Sequence, residues 1–225
     1  MKVNLISHSY PSVEFRLNTG LDSLEDLVAY CARVSNPSNQ LNNNTSKLIK
    51  YLVDNKHWSP LEMVSITLEI ETTRDIARQI LRHRSFSFQE FSQRYADPTK
   101  ELNFETRYAR LQDTANRQNS IETEDRDLQI SWEFVQKANI EHAKTAYEWA
   151  IKNGIAKEQA RAVLPEGLTQ SKLYMAGTLR SWVHYIQLRS ANGTQKEHME
   201  IARRCGEVIS EIFPLMGDLL EKLKE

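Results

Sequence analysis

Arg74, Arg78, Arg82, Arg84 and Arg94 fall within 21 residues whose only acids are Asp75 and Glu90. Planar guanidinium groups grip phosphate in two-pronged fashion, so this local excess suits a phosphorylated ligand. At helical spacing Arg74, Arg78 and Arg82 share a face, and Arg82-His83-Arg84 falls where that helix should end. The bland alternative is a solvated helix face whose cations complement a helix C-terminus. The next stretch, Ser85 to Tyr95, interleaves hydroxyls, aromatics and one carboxylate. Read as a loop, it would hold a phosphate with Ser92 and Arg94 and hydrogen-bond a base with Glu90, or it would be a polar loop pinned to the core by Phe86, Phe88 and Phe91. Ser92 as a nucleophile lacks a Gly-x-Ser-x-Gly elbow and an acid to orient His83, which argues against a serine hydrolase.

Three more arginines stand out by context. Arg161 lies among Ala160, Ala162, Val163 and Leu164, and Arg180 and Arg189 lie in an otherwise apolar helical segment. Arginine in such company needs an anion when buried, either a ligand or an internal salt bridge. His184 is expected on the same face as Arg180 and Arg189, the three falling within roughly 100° of one another. It is otherwise a satisfied core histidine. His57 sits in a turn, where it would stack on an aromatic ligand, transfer a proton or simply be solvated.

These groups need a scaffold. The chain has 225 residues and a formal charge of −1, so it is not a polyanion binder held by bulk charge, and any anion site must be local. Hydrophobic residues at 40% and charged ones at 26% exclude long disorder. One domain over residues 1–225 is expected. Cys31 and Cys205 lack metal or dithiol spacing, so no metal site is expected and the chain reads as reduced, in the cytoplasm of a cell or of a host cell. No segment reads as a membrane span or export signal.

Only seven glycines and six prolines interrupt the chain, which favours long helices. The expected class is α+β, helix-rich with a small, largely antiparallel sheet. Alternation predicts an antiparallel strand pair over 2–17, turning near Tyr10-Pro11-Ser12, and a strand carrying Val64, Ile66, Leu68 and Ile70. Helices are expected from Asp22 or Ser23, from Thr45 or Ser46, and over 73–83, 124–153, 157–163, 170–190 and 195–223, the last interrupted at Pro214. Residues 98–121 read as an irregular excursion with short strands.

Arg82-His83-Arg84, then seven residues, Ser92, one residue and Arg94 resembles the signature of flavin-dependent thymidylate synthases. The resemblance extends to Ala32-Arg33-Val34-Ser35, His57 with Ser59-Pro60 and Glu62, Ala77-Arg78-Gln79, Arg161 with Val163-Leu164-Pro165, and Arg180 followed nine residues later by Arg189. It implies synthesis of dTMP from dUMP, a step of nucleotide biosynthesis, with methylenetetrahydrofolate as one-carbon donor and NADPH as reductant through FAD. Ser35, Ser59, Arg82, His83, Arg84, Glu90, Thr178, Arg180 and His184 would line FAD. Gln79, Arg82, Glu90, Ser92, Gln93, Arg94, Arg161 and Arg189 would hold dUMP, with Arg189 catalytic, and His57 would stack near the flavin or folate.

A cation at the pyrimidine edge favours the ring anion needed for methylene transfer, which suits Arg189. The resemblance also implies a homotetramer with shared active sites. Thr178 stands where the family usually has asparagine, His184 where either asparagine or histidine occurs, and Gly193 where a histidine usually follows Arg189. The competing reading is a helical nucleic-acid-binding module, with Arg74 to Arg94 on phosphates and Phe86, Phe88 and Phe91 as stacking platforms.

Overall fold

In the computed structural model, which describes residues 1–191 and 193–222, the chain builds a four-stranded antiparallel sheet in the order β1-β2-β6-β3, with helices over one face. The elements are β1 (Lys2–His8), α1 (Val13–Thr19), α2 (Leu24–Ala32), α3 (Thr45–Asp54), β2 (Ser65–Thr73), α4 (Arg74–Ile80), β3 (Ser87–Glu90), α5 (Pro98–Glu101), β4 (Arg110–Gln112), β5 (Ser120–Glu122), α6 (Arg126–Lys152), α7 (Lys157–Ala160), β6 (Gln170–Thr178), α8 (Leu179–Arg189), α9 (Lys196–Ser210) and α10 (Leu215–Lys222). The α+β class with helix predominating is therefore met. No helix among the described residues is long and apolar enough to cross a membrane.

Strand β2 carries the architecture. Ile66, Leu68 and Ile70 are inaccessible to solvent, while Thr67, Glu69 and Glu71 between them face the other way. The opposite sheet face is thus polar: Asn4 donates to Glu69, and Lys172 lies between Glu69 and Glu71. One solvated face and one packed face is the ordinary pattern of an antiparallel sheet. On the packed side lie Ile76, Ile80, Leu179, Trp182, Val183, Ile186, Ile201 and Cys205. The buried indole of Trp182 donates to the Ile66 carbonyl at 3.1 Å, so its polar edge is satisfied within the core.

Two expected elements differ. Residues 13–19 are helical, because Ser12 accepts from the Phe15 amide as an N-cap and Gly20, at φ 72°, ends the turn. Residues 170–178 form a central strand instead of the first half of a helix. Ser171, Leu173 and Met175 are buried at period two, and all nine residues pair with β2. The helical periodicity of 179–189 masked that shorter signal. Both central strands pass without a loop into a helix: Thr73 precedes α4, and Thr178 caps α8 by accepting from the Ser181 amide. Because β2 and β6 are antiparallel, α4 and α8 start from opposite ends of the pair, and their C-terminal ends meet at His83 and Arg189.

Candidate active site

Helix α4 ends at Ile80, so Arg82-His83-Arg84 lies just beyond it as a turn. The three arginines expected on one helix face are therefore separated. Arg74 is buried, 3.5 Å from Glu90 and 3.9 Å from Glu166, and burial lowers its pKa. Arg78 is exposed beside Glu166. Arg82 and Arg84 are exposed, and neither side chain has a hydrogen bond or ion pair among the described residues.

The expected loop after them contains an edge strand. In β3, Phe88 pairs with Met175 and Glu90 with Leu173, so both side chains face the helices. Glu90 accepts from the Ser171 hydroxyl at 2.8 Å. Phe86 is buried against Trp182 and Tyr185, and its ring covers Gly177, where a Cβ would approach to 2.4 Å. Phe86 is a core side chain and Phe88 packs partly buried against the core, so two of the three aromatics expected to stack on bases are engaged inside the protein. Ser92 accepts from the Arg94 amide, and Arg94 is 3.5 Å from Glu158. Arg161 donates from Nε to the Glu158 carbonyl. Gln93 is buried, and its Nε2 has no partner.

Helix α8 places Arg180, His184 and Arg189 on two sides. Arg180 pairs with Glu62, and His184 packs edge-on against Trp58 at 4.5 Å. Arg189 points to His83 instead, donating from Nε to Nε2 at 2.9 Å. The expectation of a common face fails because nine residues at 100° each amount to half a turn. Burial, then the charge of Arg180, lowers the His184 pKa. Thr178 and Ser181 bond each other, and Ser181 also donates to the Ser85 carbonyl. Ser59 and His57 are exposed in the adjoining turn, with the His57 ring edge-on to Tyr51. Ser35 is exposed in a cleft of about 470 Å³ that Tyr51 also lines.

The centre of the constellation is His83. Burial and the neighbouring Arg189 charge depress its pKa to about 4. Its ring therefore stays neutral and can accept from Arg189, which leaves the two Nη groups of the guanidinium for a ligand. Beside it lies a cluster that the sequence reading missed. The Tyr185 ring is edge-on to His83 at 4.9 Å, and its hydroxyl lies 3.2 Å from Nε2 of the inaccessible His198. His198 Nδ1 lies 3.3 Å from Gln79 Oε1. Gln79 donates to Gln195, Gln195 to Glu197, and Arg110 pairs with Glu197 at 2.7 Å. Apart from Gln79, no sequence motif announces this chain, which joins α4, α8, α9 and β4. The nearest signal was His198 on the apolar stripe of α9.

The chain thus forms separate groupings around Trp58 and His184, around His83 and Arg189, around Glu90 and Arg74, and around Glu158 with Arg94 and Arg161. Among the described residues no hydrogen bond or ion pair joins the second to the third.

The family model described as "Thymidylate synthase complementing protein" matches residues 17–215. A protein of Paramecium bursaria Chlorella virus 1 named "Probable flavin-dependent thymidylate synthase" is 47% identical over 222 residues, covering 98% of this chain and 99% of the relative. A Synechocystis flavin-dependent thymidylate synthase is 49% identical, covering 88% of this chain and 90% of its own length. The crystal structure of a UMP/dUMP methylase from Streptomyces cacaoi bound with 5-Br dUMP superposes with a TM-score of 0.77 at 25% identity, covering 98% of this chain and 94% of the other. The fold is α+β, and the family and relatives it matches over nearly its whole length make the chain an enzyme. The chain belongs to the thymidylate synthase complementing protein family, the flavin-dependent thymidylate synthases.

Proposed function

We propose that this chain makes dTMP from dUMP, with methylenetetrahydrofolate as carbon donor and NADPH as reductant through bound FAD. The observation that carries the reading is the Arg82-His83-Arg84 turn. Its two flanking guanidinium groups are exposed and unpaired among the described residues, in a chain of net charge −1, while His83 between them in sequence accepts from Arg189 and so orients it. Unpaired arginines fit the pyrophosphate of FAD, with Ser35, Ser59, Thr178, His184 and Arg180 as further contacts. Arg180 would have to exchange Glu62 for such a contact. The bound flavin would supply reducing equivalents that the two thiols do not.

The chain's own residues would divide the remaining tasks. Arg94 and Arg161 lie together around Glu158, with the Ser92 hydroxyl on the Arg94 amide, and suit the dUMP phosphate, while the orphaned amide of Gln93 has a donor free for the same nucleotide. Glu90 would accept from the base. Arg189, planar and held at Nε, presents two Nη donors to a pyrimidine edge and stabilises negative charge there. His57 is free to stack on a flat ligand.

A second copy of the chain would bring these groupings together, in a homotetramer with shared sites. Helix α6 supports this assembly, since Ile130 is 66% exposed and Phe134 72%, an apolar surface that water disfavours. The test is an assay of the purified, yellow protein for dTMP formed from dUMP, with and without methylenetetrahydrofolate and NADPH, alongside sedimentation. A colourless protein that forms no dTMP overturns the reading.

A further inference from the structure

We propose that His198 is a positioning residue of this site, which locks the Gln79 amide so that Gln79 turns an N–H, and not its carbonyl, toward an acceptor oxygen of the nucleotide. The inference rests on the dUMP reading of the same site and assigns a role to a residue outside the signature.

The direction of the hydrogen-bond chain follows from its one unambiguous end. Glu197, paired with Arg110, is a carboxylate and only accepts. Burial raises its pKa, but its own backbone amide, Gln195 and Arg110 together outweigh that and keep it low. Gln195 must therefore point Nε2 at Glu197, which turns its Oε1 toward Gln79. Gln79 must donate to that oxygen, which turns its own Oε1 toward His198. His198 must then carry its proton on Nδ1, leaving Nε2 to accept from the Tyr185 hydroxyl. Each amide and ring has one orientation that satisfies every neighbour, and a single reversal would set two like groups face to face.

Two consequences meet at the site. Gln79 Nε2 has two protons and spends one on Gln195, so the other is available to a ligand acceptor. Tyr185, fixed at its hydroxyl, holds its ring against His83, which in turn seats Arg189. His198 is inaccessible and would touch no ligand itself.

The ring tautomer is read directly by ¹⁵N NMR of the intact protein. A neutral His198 ring with the proton on Nδ1 is expected, and a proton on Nε2 overturns the chain. The functional arm measures dUMP affinity, flavin content and thermal stability for His198→Asn, His198→Gln and His198→Leu. Asparagine can place an N–H where Nδ1 was, whereas glutamine reaches only toward Tyr185. One lost, oriented hydrogen bond predicts dUMP affinity weaker by about fivefold in His198→Leu and His198→Gln, with flavin content unchanged and recovery to within about twofold in His198→Asn. If His198→Leu does not fold, the asparagine and glutamine pair decides alone. Equal affinity in all variants, or losses that simply track stability, overturns the positioning role. A wild-type protein that binds no dUMP removes the nucleotide reading itself, a result distinct from wild-type binding that the variants share.

Discussion

Lowering the pH from about 7 to about 5 should destabilise this protein through two histidines. His83 and His198 have pKa values of about 4 and about 3, because burial and then the Arg189 charge disfavour their protonated forms. An unfolded histidine titrates near 6.5, so between that pH and the folded values the unfolded chain holds more protons. Stability therefore rises with pH through this window and falls as the solution is acidified. Integrated from about pH 7 to about pH 5, a histidine kept neutral in the folded state contributes roughly 2 kcal/mol. His83 is partly exposed and solvent trims its share, so the pair should cost on the order of 3 kcal/mol. His184, also lowered, acts in the same direction.

The paired carboxylates Glu69, Asp75 and Glu197, all lowered, lose their contribution only below about pH 4.5, which keeps the window separate. Glu25, raised by burial, works weakly the other way. Urea unfolding at several pH values, with flavin absorbance recorded at each, measures the slope. In His198→Asn the slope should fall by about half, whatever the absolute stability. A stability that does not change over this range, or an unchanged slope in the variant, refutes the assignment of neutral buried rings.

Three other outcomes are expected. Arg189→Lys keeps the charge but loses the Nε contact to His83, so dTMP formation should fall more than flavin content, and Arg189→Ala should raise the barrier by a few kcal/mol; near-normal turnover in the alanine variant would sink the role. Gly177→Ala would push a methyl group into the Phe86 ring, where a Cβ meets Cδ1 at 2.4 Å, and should cost about 1–3 kcal/mol in denaturant unfolding; an unchanged midpoint would mean the ring moves freely. Burial raises the pKa of both Cys31 and Cys205, so neither supplies a thiolate near neutral pH; the serine variants should retain turnover, and the wild-type thiols should alkylate slowly near neutral pH.

What the sequence made legible follows signal length. The alternation of Val64, Ile66, Leu68 and Ile70 had no rival period, and the central strand is where it predicts. Residues 170–178 carry the same alternation, but it runs straight into the apolar turns of α8, and the longer helical period absorbed it. At Ser12 the chain carried a capping serine and a left-handed glycine eight residues later, a helix signature that the alternation of Val13, Phe15 and Leu17 outweighed. Signature residues could be found because they are contiguous. His198, Gln195 and Glu197 could not, since their partners Gln79, Tyr185 and Arg110 come from three other elements.

The arginines show why residue type alone misjudges a site. Clustering drew Arg74, Arg78, Arg82, Arg84 and Arg94 into one group, yet the structure divides them by what they face. Arg74 lies among Glu90 and Glu166 within the core, and Arg107 and Arg110, which no motif marked, hold Asp75 and Glu197 at 2.7 Å each. These cations are already neutralised, and a ligand anion would have to compete with a half-buried carboxylate for them. Arg82 and Arg84 have no such competitor. Arg189 is held by a neutral histidine, which fixes its direction without cancelling its charge. In a chain of net charge −1, Arg82, Arg84 and Arg189 can thus meet a ligand anion without displacing an acid, whereas Arg94 and Arg180 would first have to give up Glu158 and Glu62, a distinction that exists only once the fold has placed these acids.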